Sequence, residues 1–400
     1  MNKKQVLRSV FALSVAATLW TGCTSDEVLL NPTDAIGKDE GATVTFSLGL
    51  PMGDEVNYTK GRDVTPLHDE SEWSIKKLKV YDFKKEGDAE PTFVKAYNVE
   101  IKTDGASLNS GMCVPGATGG KYQVKLSLSA KIGENHVFAF VANDTVPTFD
   151  QKIEDGASLT LNDLRVSVAN KSMSTGGNTS TFFGNIGGLA MTGVTEAITI
   201  AIPTGGTQAN AVNMKRIMAR IDVKNYISES RNFKLVSVKL KNSAPNGYLF
   251  AEKSNGDKTG EIWNYTNPVT LEQNPSYTAN GYKAAGTADY LDAKWVESIT
   301  TDKGVTGTWY KKVLYAYEYL SQRGVGNDTP TPTLIVEYTL NGWSATTEVE
   351  MRDDLNTRFD ILRNHVYILQ VGDTEAGGQD ITFKFIPAEW DFHEINSDLI

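Results

Sequence analysis

The chain has 400 residues, of which 40% are apolar and 22% are charged, and its formal net charge is −10. The basic N-terminal 22 residues account for three of its cations, so the rest of the chain carries −13. This acidic balance argues against a nucleic-acid-binding protein, which needs clustered lysine and arginine, and against a basic helix lying on a bilayer. Two cysteines, Cys23 and Cys113, exclude a disulfide framework, so the fold must depend on its hydrophobic core.

Residues 1–22 have the pattern of a lipoprotein signal peptide. Three cations, Lys3, Lys4 and Arg8, precede an apolar stretch of about a dozen residues, too short to span a bilayer as a mature helix. Small residues stand directly before Cys23, as a lipoprotein signal peptidase requires, and the thiol would accept the diacylglyceryl group. We therefore predict lipidation at Cys23 and anchoring to the outer membrane; the alternative is an ordinary secretory signal beside an unmodified cysteine.

The mature chain begins with a polar tether, at 23–40, and then changes to the period-two pattern of β-strands. The first strand is predicted at 42–50, and its four inward apolar side chains are Val44, Phe46, Leu48 and Leu50. A polar stretch with glycine and proline follows at 51–72. Such a stretch predicts an exposed loop that proteases can reach.

Further strands are predicted along the whole chain. Alternating runs occur at 122–128, 198–202, 217–223 and 381–385, and denser apolar runs occur at 137–141, 334–336 and 366–369. Helical periodicity is limited to 161–168 and 288–296. Many short strands without βαβ alternation predict an all-β fold of two antiparallel sandwiches, at 41–212 and 213–400.

Residues that could carry catalysis do not occur in catalytic spacings. The four histidines are His68, His136, His365 and His393, and none has a spacing that would form a metal site. The sequence has neither a nucleophile elbow nor a phosphate-binding loop. The carboxylates considered for acid/base work, Asp163, Asp222 and Glu337, are not paired in sequence. We therefore expect a protein that is not an enzyme and has no cofactor and no metal.

The tryptophans leave a second function open. Exposed aromatic rings can stack on sugars, so a monomeric surface glycan-binding lipoprotein is the alternative to a structural protein. That alternative requires two or three aromatic side chains aligned on one exposed face. Aromatic residues in β-sandwiches usually belong to the core. The tryptophans of the mature chain are Trp73, Trp263, Trp295, Trp309, Trp343 and Trp390.

Four stretches, in order, resemble the fimbrillins of Bacteroidia, the lipoprotein-derived subunits of a surface pilus. The first is Arg62 followed by Glu72 and the apolar pattern at 75–83. The second is the strand at 214–223, which contains Arg216, Ala219 and Arg220. The third and fourth are the runs at 314–320 and 363–367, the latter leading into Val371 and Trp390. The acidic pair behind Cys23 also resembles the surface-export signal of lipoproteins from the same group.

The resemblance implies two tandem transthyretin-like sandwiches and a subunit of a cell-surface fimbrium that serves adhesion. Arg62 matches the position at which an Arg-specific surface protease cuts the precursor. The cut would release the first strand, and a strand from another fimbrial subunit, of the same or a minor kind, would replace it. The segment 381–400 is the candidate donor. Stalk, tip and anchor roles stay open. Asp144-Thr145-Val146 resembles an O-glycosylation acceptor of the same bacteria, with Thr145 as the modified residue.

Overall fold

The computed structural model describes the chain between residues 42 and 389, with gaps. The described residues are 42–50, 72, 74–102, 105–116, 121–167, 169, 188–201, 210–227, 231–244, 247–250, 278–283, 296–300, 304–319, 330–352, 360–373 and 381–389. They contain nineteen strands and two short helices, so the prediction of an all-β fold is confirmed.

The elements are numbered in chain order. The strands are β1 (Thr43–Gly49), β2 (Leu78–Lys85), β3 (Thr92–Ile101), β4 (Met112–Pro115), β5 (Lys121–Ser127), β6 (Asn135–Ala142), β7 (Met191–Val194), β8 (Ile198–Thr199), β9 (Asn210–Asn213), β10 (Lys215–Arg216), β11 (Met218–Asn225), β12 (Lys234–Lys241), β13 (Thr278–Lys283), β14 (Val296–Thr300), β15 (Thr306–Tyr317), β16 (Thr333–Leu340), β17 (Trp343–Glu350), β18 (His365–Asp373) and β19 (Ile381–Glu389). The helices are α1 (Pro147–Glu154) and α2 (Leu161–Arg165).

The strands up to Arg216 form one sheet, in the order β10-β7-β6-β2-β3-β4-β5-β1-β9, with β8 on β6. Only two residue pairs join β3 to β4. Side chains of β1 and β5 share a core with those of β2 and β6, and the rings of Phe46 and Phe138 lie 4.9 Å apart. The sheet therefore folds over at the β3–β4 junction into two facing layers, as in a sandwich.

The strands from Met218 onward form two further sheets. One has the order β14-β15-β11-β18-β19, and the other has the order β13-β12-β16-β17. Apolar side chains from both sheets, such as Ile221 of β11 and Val336 of β16, belong to one core. Tyr338 of β16 lies 6.1 Å from Phe383 of β19, measured between ring centroids. The two sheets therefore pack face to face.

The two helices cover the outer face of β2 and β6. Phe149 of α1 packs edge-on against Tyr81, with 5.4 Å between ring centroids. Thr160 and Asp163 form a capping box at the start of α2, where side chains satisfy the free backbone N–H groups. The short helix predicted at 161–168 is confirmed over α2. Neither of the described helices has the length and apolarity needed to cross a membrane.

Three pairings correct the purely antiparallel prediction. β1 is parallel to β9, β11 to β18, and β3 to β4. Parallel strands need a long connection in the chain. Most strands of the first sheet lie between β1 and β9 in sequence, and most strands of the other two sheets lie between β11 and β18. The helix predicted at 288–296 lies outside the described residues except for Val296, which begins β14. The division at 212/213 and the transthyretin-like type of sandwich stay predictions.

Candidate functional site

β1 is the strand that the sequence singles out, and it lies in the interior of its sheet. It pairs antiparallel with β5 over seven residue pairs and parallel with β9 over four. Backbone bonds continue both ladders, since Leu128 donates to the Ala42 carbonyl at 2.7 Å and Met214 donates to the Gly49 carbonyl at 2.8 Å. Both edges of β1 are therefore hydrogen-bonded along most of its length.

The apolar face of β1 is buried as predicted. Val44 is 8% exposed, and Phe46, Leu48 and Leu50 are fully buried. The Phe46 ring makes edge contacts with Phe138 and Phe140, at centroid distances of 4.9 Å and 5.1 Å. This strand is thus a central component of the first core, and its removal would open a cleft floored by the aromatic side chains of β6.

The cleft left by β1 would have two unequal walls. One wall is β5, which also pairs with β4 and carries Val124 and Leu126 toward the core. The other wall is β9, the edge strand, which pairs with no strand except β1 in the described part of the chain. Loss of β1 would therefore leave β9 unpaired and expose two rows of backbone N–H and C=O groups.

The predicted processing residues are not in the described part of the chain. Cys23 and Arg62 both lie outside it, so lipidation and cleavage stay predictions. Thr145 is described: it is exposed on the connection between β6 and α1, and its backbone N–H donates to the Asp144 carboxylate at 2.8 Å. Glycosylation of Thr145 also stays a prediction.

The candidate donor segment at 381–400 is partly engaged in its own sheet. β19 pairs with β18 over nine residue pairs, and Phe385 is 5% exposed. This part of the segment would have to leave β18 before it could pair elsewhere. The remaining residues, 390–400, lie outside the described chain, and the identity of the donor stays a prediction.

His136 forms a buried pair with Asp82 on the core face of β6 and β2. Its Nδ1 lies 2.6 Å from the Asp82 carboxylate, both side chains are 1% exposed, and Glu134 lies 3.6 Å from Nε2. Burial lowers the pKa of His136, but the hydrogen bond and the charge of Asp82 outweigh burial and raise that pKa above its usual value. No group of three metal-ligating side chains comes together in the ranges that the structure describes.

The His136–Asp82 pair predicts a pH-dependent stability. A raised pKa in the folded state favours the protonated imidazole, so its stabilising effect is complete below the unfolded-state pKa of about 6.5 and is lost as pH rises through the folded-state pKa. We expect the stability difference between the wild-type protein and His136→Gln to shrink as pH rises above about 6.5. Urea denaturation of both proteins at several pH values measures it, and a difference that stays constant with pH would contradict the assignment.

The remaining polar residues singled out from sequence have structural partners. His365 Nδ1 contacts the Arg363 carbonyl at 2.8 Å, and Asp163 caps α2. Glu337 accepts hydrogen bonds from Ser237 at 2.6 Å and from Lys239 at 3.1 Å. His68 and His393 lie outside the described residues.

Among the aromatic side chains whose burial the structure describes, one is exposed: Trp343, at 81%. Trp309 is buried, with the ammonium groups of Lys224 and Lys311 at 4.2 Å and 4.4 Å from its ring centroid. The aligned aromatic face that glycan binding requires is therefore not found in this part of the molecule. The other tryptophans of the mature chain lie outside the described residues.

Arg220 alternates with the apolar residues of its strand, a pattern that predicts a side chain pointing outward or bridging sheets. It is fully buried in β11, and its guanidinium makes two hydrogen bonds to Asp222, at 2.9 Å and 2.8 Å. Its Nη1 also bonds both carboxylate oxygens of Glu72, at 3.1 Å and 2.9 Å. A buried guanidinium is tolerable here because two carboxylates compensate its charge. The partner Glu72 is distant in sequence, so the pattern of β11 alone did not indicate it.

Other groups complete this buried cluster. Tyr315 donates its hydroxyl to Glu72 at 2.5 Å, and the Arg216 Nε donates to the Glu72 carbonyl at 3.0 Å. Burial raises the pKa of Glu72, but the charges of Arg220, Lys312 and Arg216 outweigh it and hold the pKa below its usual value. Glu72 is therefore a charged carboxylate inside the protein, and this last residue of the polar stretch at 51–72 is buried rather than exposed as predicted.

Comparison with known proteins gives structural matches only. No protein-family model matches the chain, and no curated protein matches its sequence. The chain is similar to the tip fimbrial protein Mfa3 from Porphyromonas gingivalis with C-terminal truncation, at 14% identity and a TM-score of 0.47, over 87% of this chain and 99% of that one. It is also similar to a fimbrial assembly protein from Parabacteroides distasonis, at 13% identity and a TM-score of 0.40, over 87% of this chain and 96% of that one.

The chain thus resembles Bacteroidia fimbrial proteins in its structural matches as well as in its sequence motifs.

Proposed function

We propose that this chain is a subunit of a cell-surface fimbrium that serves adhesion, exported as an outer-membrane lipoprotein and assembled by replacement of β1. The observation that carries the proposal is the position of β1. It is an interior strand with a buried apolar face, and it precedes a polar segment containing Arg62. In this scheme Cys23 holds the lipid, so release of β1 also releases the anchor.

The energetics favour replacement of β1 over its simple loss. Burial of its four apolar side chains stabilises the fold by roughly 6 to 12 kcal/mol, at about 1.5 to 3 kcal/mol each. Each backbone hydrogen bond adds about 1 kcal/mol. Cleavage at Arg62 leaves these noncovalent interactions intact, but β1 is then no longer covalently connected to the rest of the subunit. A strand from another subunit can then take over the same interactions, whereas an empty cleft would expose apolar surface and unpaired sheet edges.

The pairing of β1 defines the direction of a strand that takes over its hydrogen bonds. Such a strand runs antiparallel to β5 and parallel to β9, as β1 does. Its alternate side chains must be apolar, and the one that takes the place of Phe46 must fit between Phe138 and Phe140. Partners in this scheme are other fimbrial subunits and an Arg-specific surface protease.

Replacement of Arg62 tests the proposal. In cells that produce Arg62→Ala, we expect loss of surface filaments and accumulation of a folded, lipidated monomer, because the protease cannot free β1. Lys60→Ala removes a cation from the same loop and is the matched control, with normal filaments expected. Electron microscopy of the cell surface and immunoblotting of the monomer measure both results. Normal filaments from Arg62→Ala would refute processing at this residue.

A further inference from the structure

Glu72 joins two parts of the chain that strand pairing does not join directly. It is the last residue of the polar stretch at 51–72, yet its contacts come from β10, β11 and β15 in the second half of the chain. Three hydrogen bonds from arginine side chains end on its carboxylate or its backbone carbonyl, and a fourth comes from the Tyr315 hydroxyl. One of the four is also an ion pair, at 2.9 Å.

The residues that follow Glu72 are held by the first half of the chain. The Asn143 side-chain oxygen accepts from the backbone N–H groups of Lys76 and Lys77, at 2.8 Å and 3.3 Å. Its amide donates to the carbonyls of Ser74 and Leu189, at 2.8 Å and 2.9 Å. Asn143 reaches these groups from a left-handed backbone conformation with φ of 58°, which asparagine tolerates better than most residues.

We propose that Glu72 is a buried anchor that limits the loosening of the chain behind a cut at Arg62, so that the chain from Glu72 onward stays bound when β1 leaves. The proposal deepens the proposed function, since it places the point at which the chain behind the cut becomes fixed. The anchor itself is a property of the folded monomer and does not depend on polymer formation.

The charge balance explains why the anchor holds. If Glu72 left its site, the buried guanidinium groups of Arg216 and Arg220 would keep the carboxylate of Asp222 but lose that of Glu72. Removing one partner from a buried ion pair is strongly unfavourable, because the remaining charge keeps its desolvation penalty. An apolar residue at position 72 could leave its site without that penalty. A carboxylate therefore resists the unravelling of β2 that would otherwise continue from a cut at Arg62.

Limited trypsin digestion of the folded full-length protein tests the anchor. Lys76 and Lys77 have exposed side chains on a backbone tied to Asn143, so they report whether this stretch stays in place. In the wild-type protein we expect early cuts at Lys60 and Arg62 and protection at Lys76 and Lys77. In Glu72→Gln, which keeps the shape and removes the charge, cutting at Lys76 and Lys77 should be at least about tenfold faster. Glu86→Gln, at an exposed carboxylate, should behave like the wild type.

Cutting at Lys131, an exposed lysine on the turn between β5 and β6, separates anchoring from general stability. The proposal requires faster cutting at Lys76 and Lys77 with an unchanged rate at Lys131. An equal acceleration at all three sites, or none at Lys76 and Lys77, would overturn it. If Glu72→Gln does not fold, Tyr315→Phe is the variant to digest instead, because it removes one hydrogen bond to Glu72. We then expect cutting at Lys76 and Lys77 to be a few fold faster than in the wild-type protein. Filament formation is not measured, so failure of the anchor and failure of the assembly scheme are distinguishable.

Discussion

Phe46→Ala should lower the free energy of unfolding of the precursor by about 3 to 5 kcal/mol, the usual loss when a buried phenylalanine is truncated. The ring is fully buried and contacts Phe138 and Phe140, whose positions in β6 are fixed by pairing with β2. The layers cannot collapse into the space without moving β6, so most of the cavity should remain. Urea denaturation followed by tryptophan fluorescence measures the loss.

A matched control for Phe46→Ala is Thr43→Ala, at the half-buried first residue of the same strand. We expect a loss below about 1 kcal/mol there, since the substitution keeps the backbone pairing and creates no cavity. A loss below 1 kcal/mol for Phe46→Ala itself would mean that β1 is not a central component of the core. The proposal that its replacement drives assembly would then lose its energetic basis.

Asp222→Ala should destabilise the protein by about 3 to 5 kcal/mol, the range for breaking a buried ion pair. The Asp222 carboxylate accepts from Arg220, from Trp309 Nε1 at 3.1 Å and from the backbone N–H of Lys312 at 2.9 Å. Alanine removes the acceptor for all of these donors and one of the two carboxylates that compensate Arg220. Thermal or urea denaturation measures the loss.

The control for Asp222→Ala is Glu348→Ala, which breaks an exposed pair with Lys241 between β17 and β12. Exposed ion pairs contribute little because water and salt screen them, so we expect less than about 1 kcal/mol. Similar losses for the two variants would show that the buried cluster contributes no more to the free energy of unfolding than an exposed ion pair does.

The amphipathic strands could be predicted from sequence because each carries its own pattern. β1 is an example: alternation at 42–50 predicted both its existence and its buried face, and the structure agrees. The dense run at 137–141 likewise predicted a strand that is covered on both faces or lies mid-sheet. In the structure β6 is covered by the first core on one face and by α1 on the other. These features depend on the spacing of neighbouring residues, which the sequence displays directly.

Features that depend on contacts between residues far apart in the chain could not be predicted from the sequence in the same way. The parallel pairing of β1 with β9 joins residues more than 160 positions apart, and no local pattern specifies it. Arg220 alternates with apolar residues as an outward side chain would, but Glu72, 148 positions away, makes its burial possible. The cluster around Glu72 was not predicted for this reason, although Glu72 and Arg220 each belong to one of the motifs that resemble fimbrillins.

The most direct test of the account is the N-terminus of the subunit in native filaments. Filaments sheared from the cell surface can be digested with a protease other than trypsin and examined by mass spectrometry. The account predicts subunits that begin at Asp63, directly after Arg62, and that lack the peptide covering 42–50. Filament subunits that retain 42–50 in equal amount with the rest of the chain would contradict strand replacement.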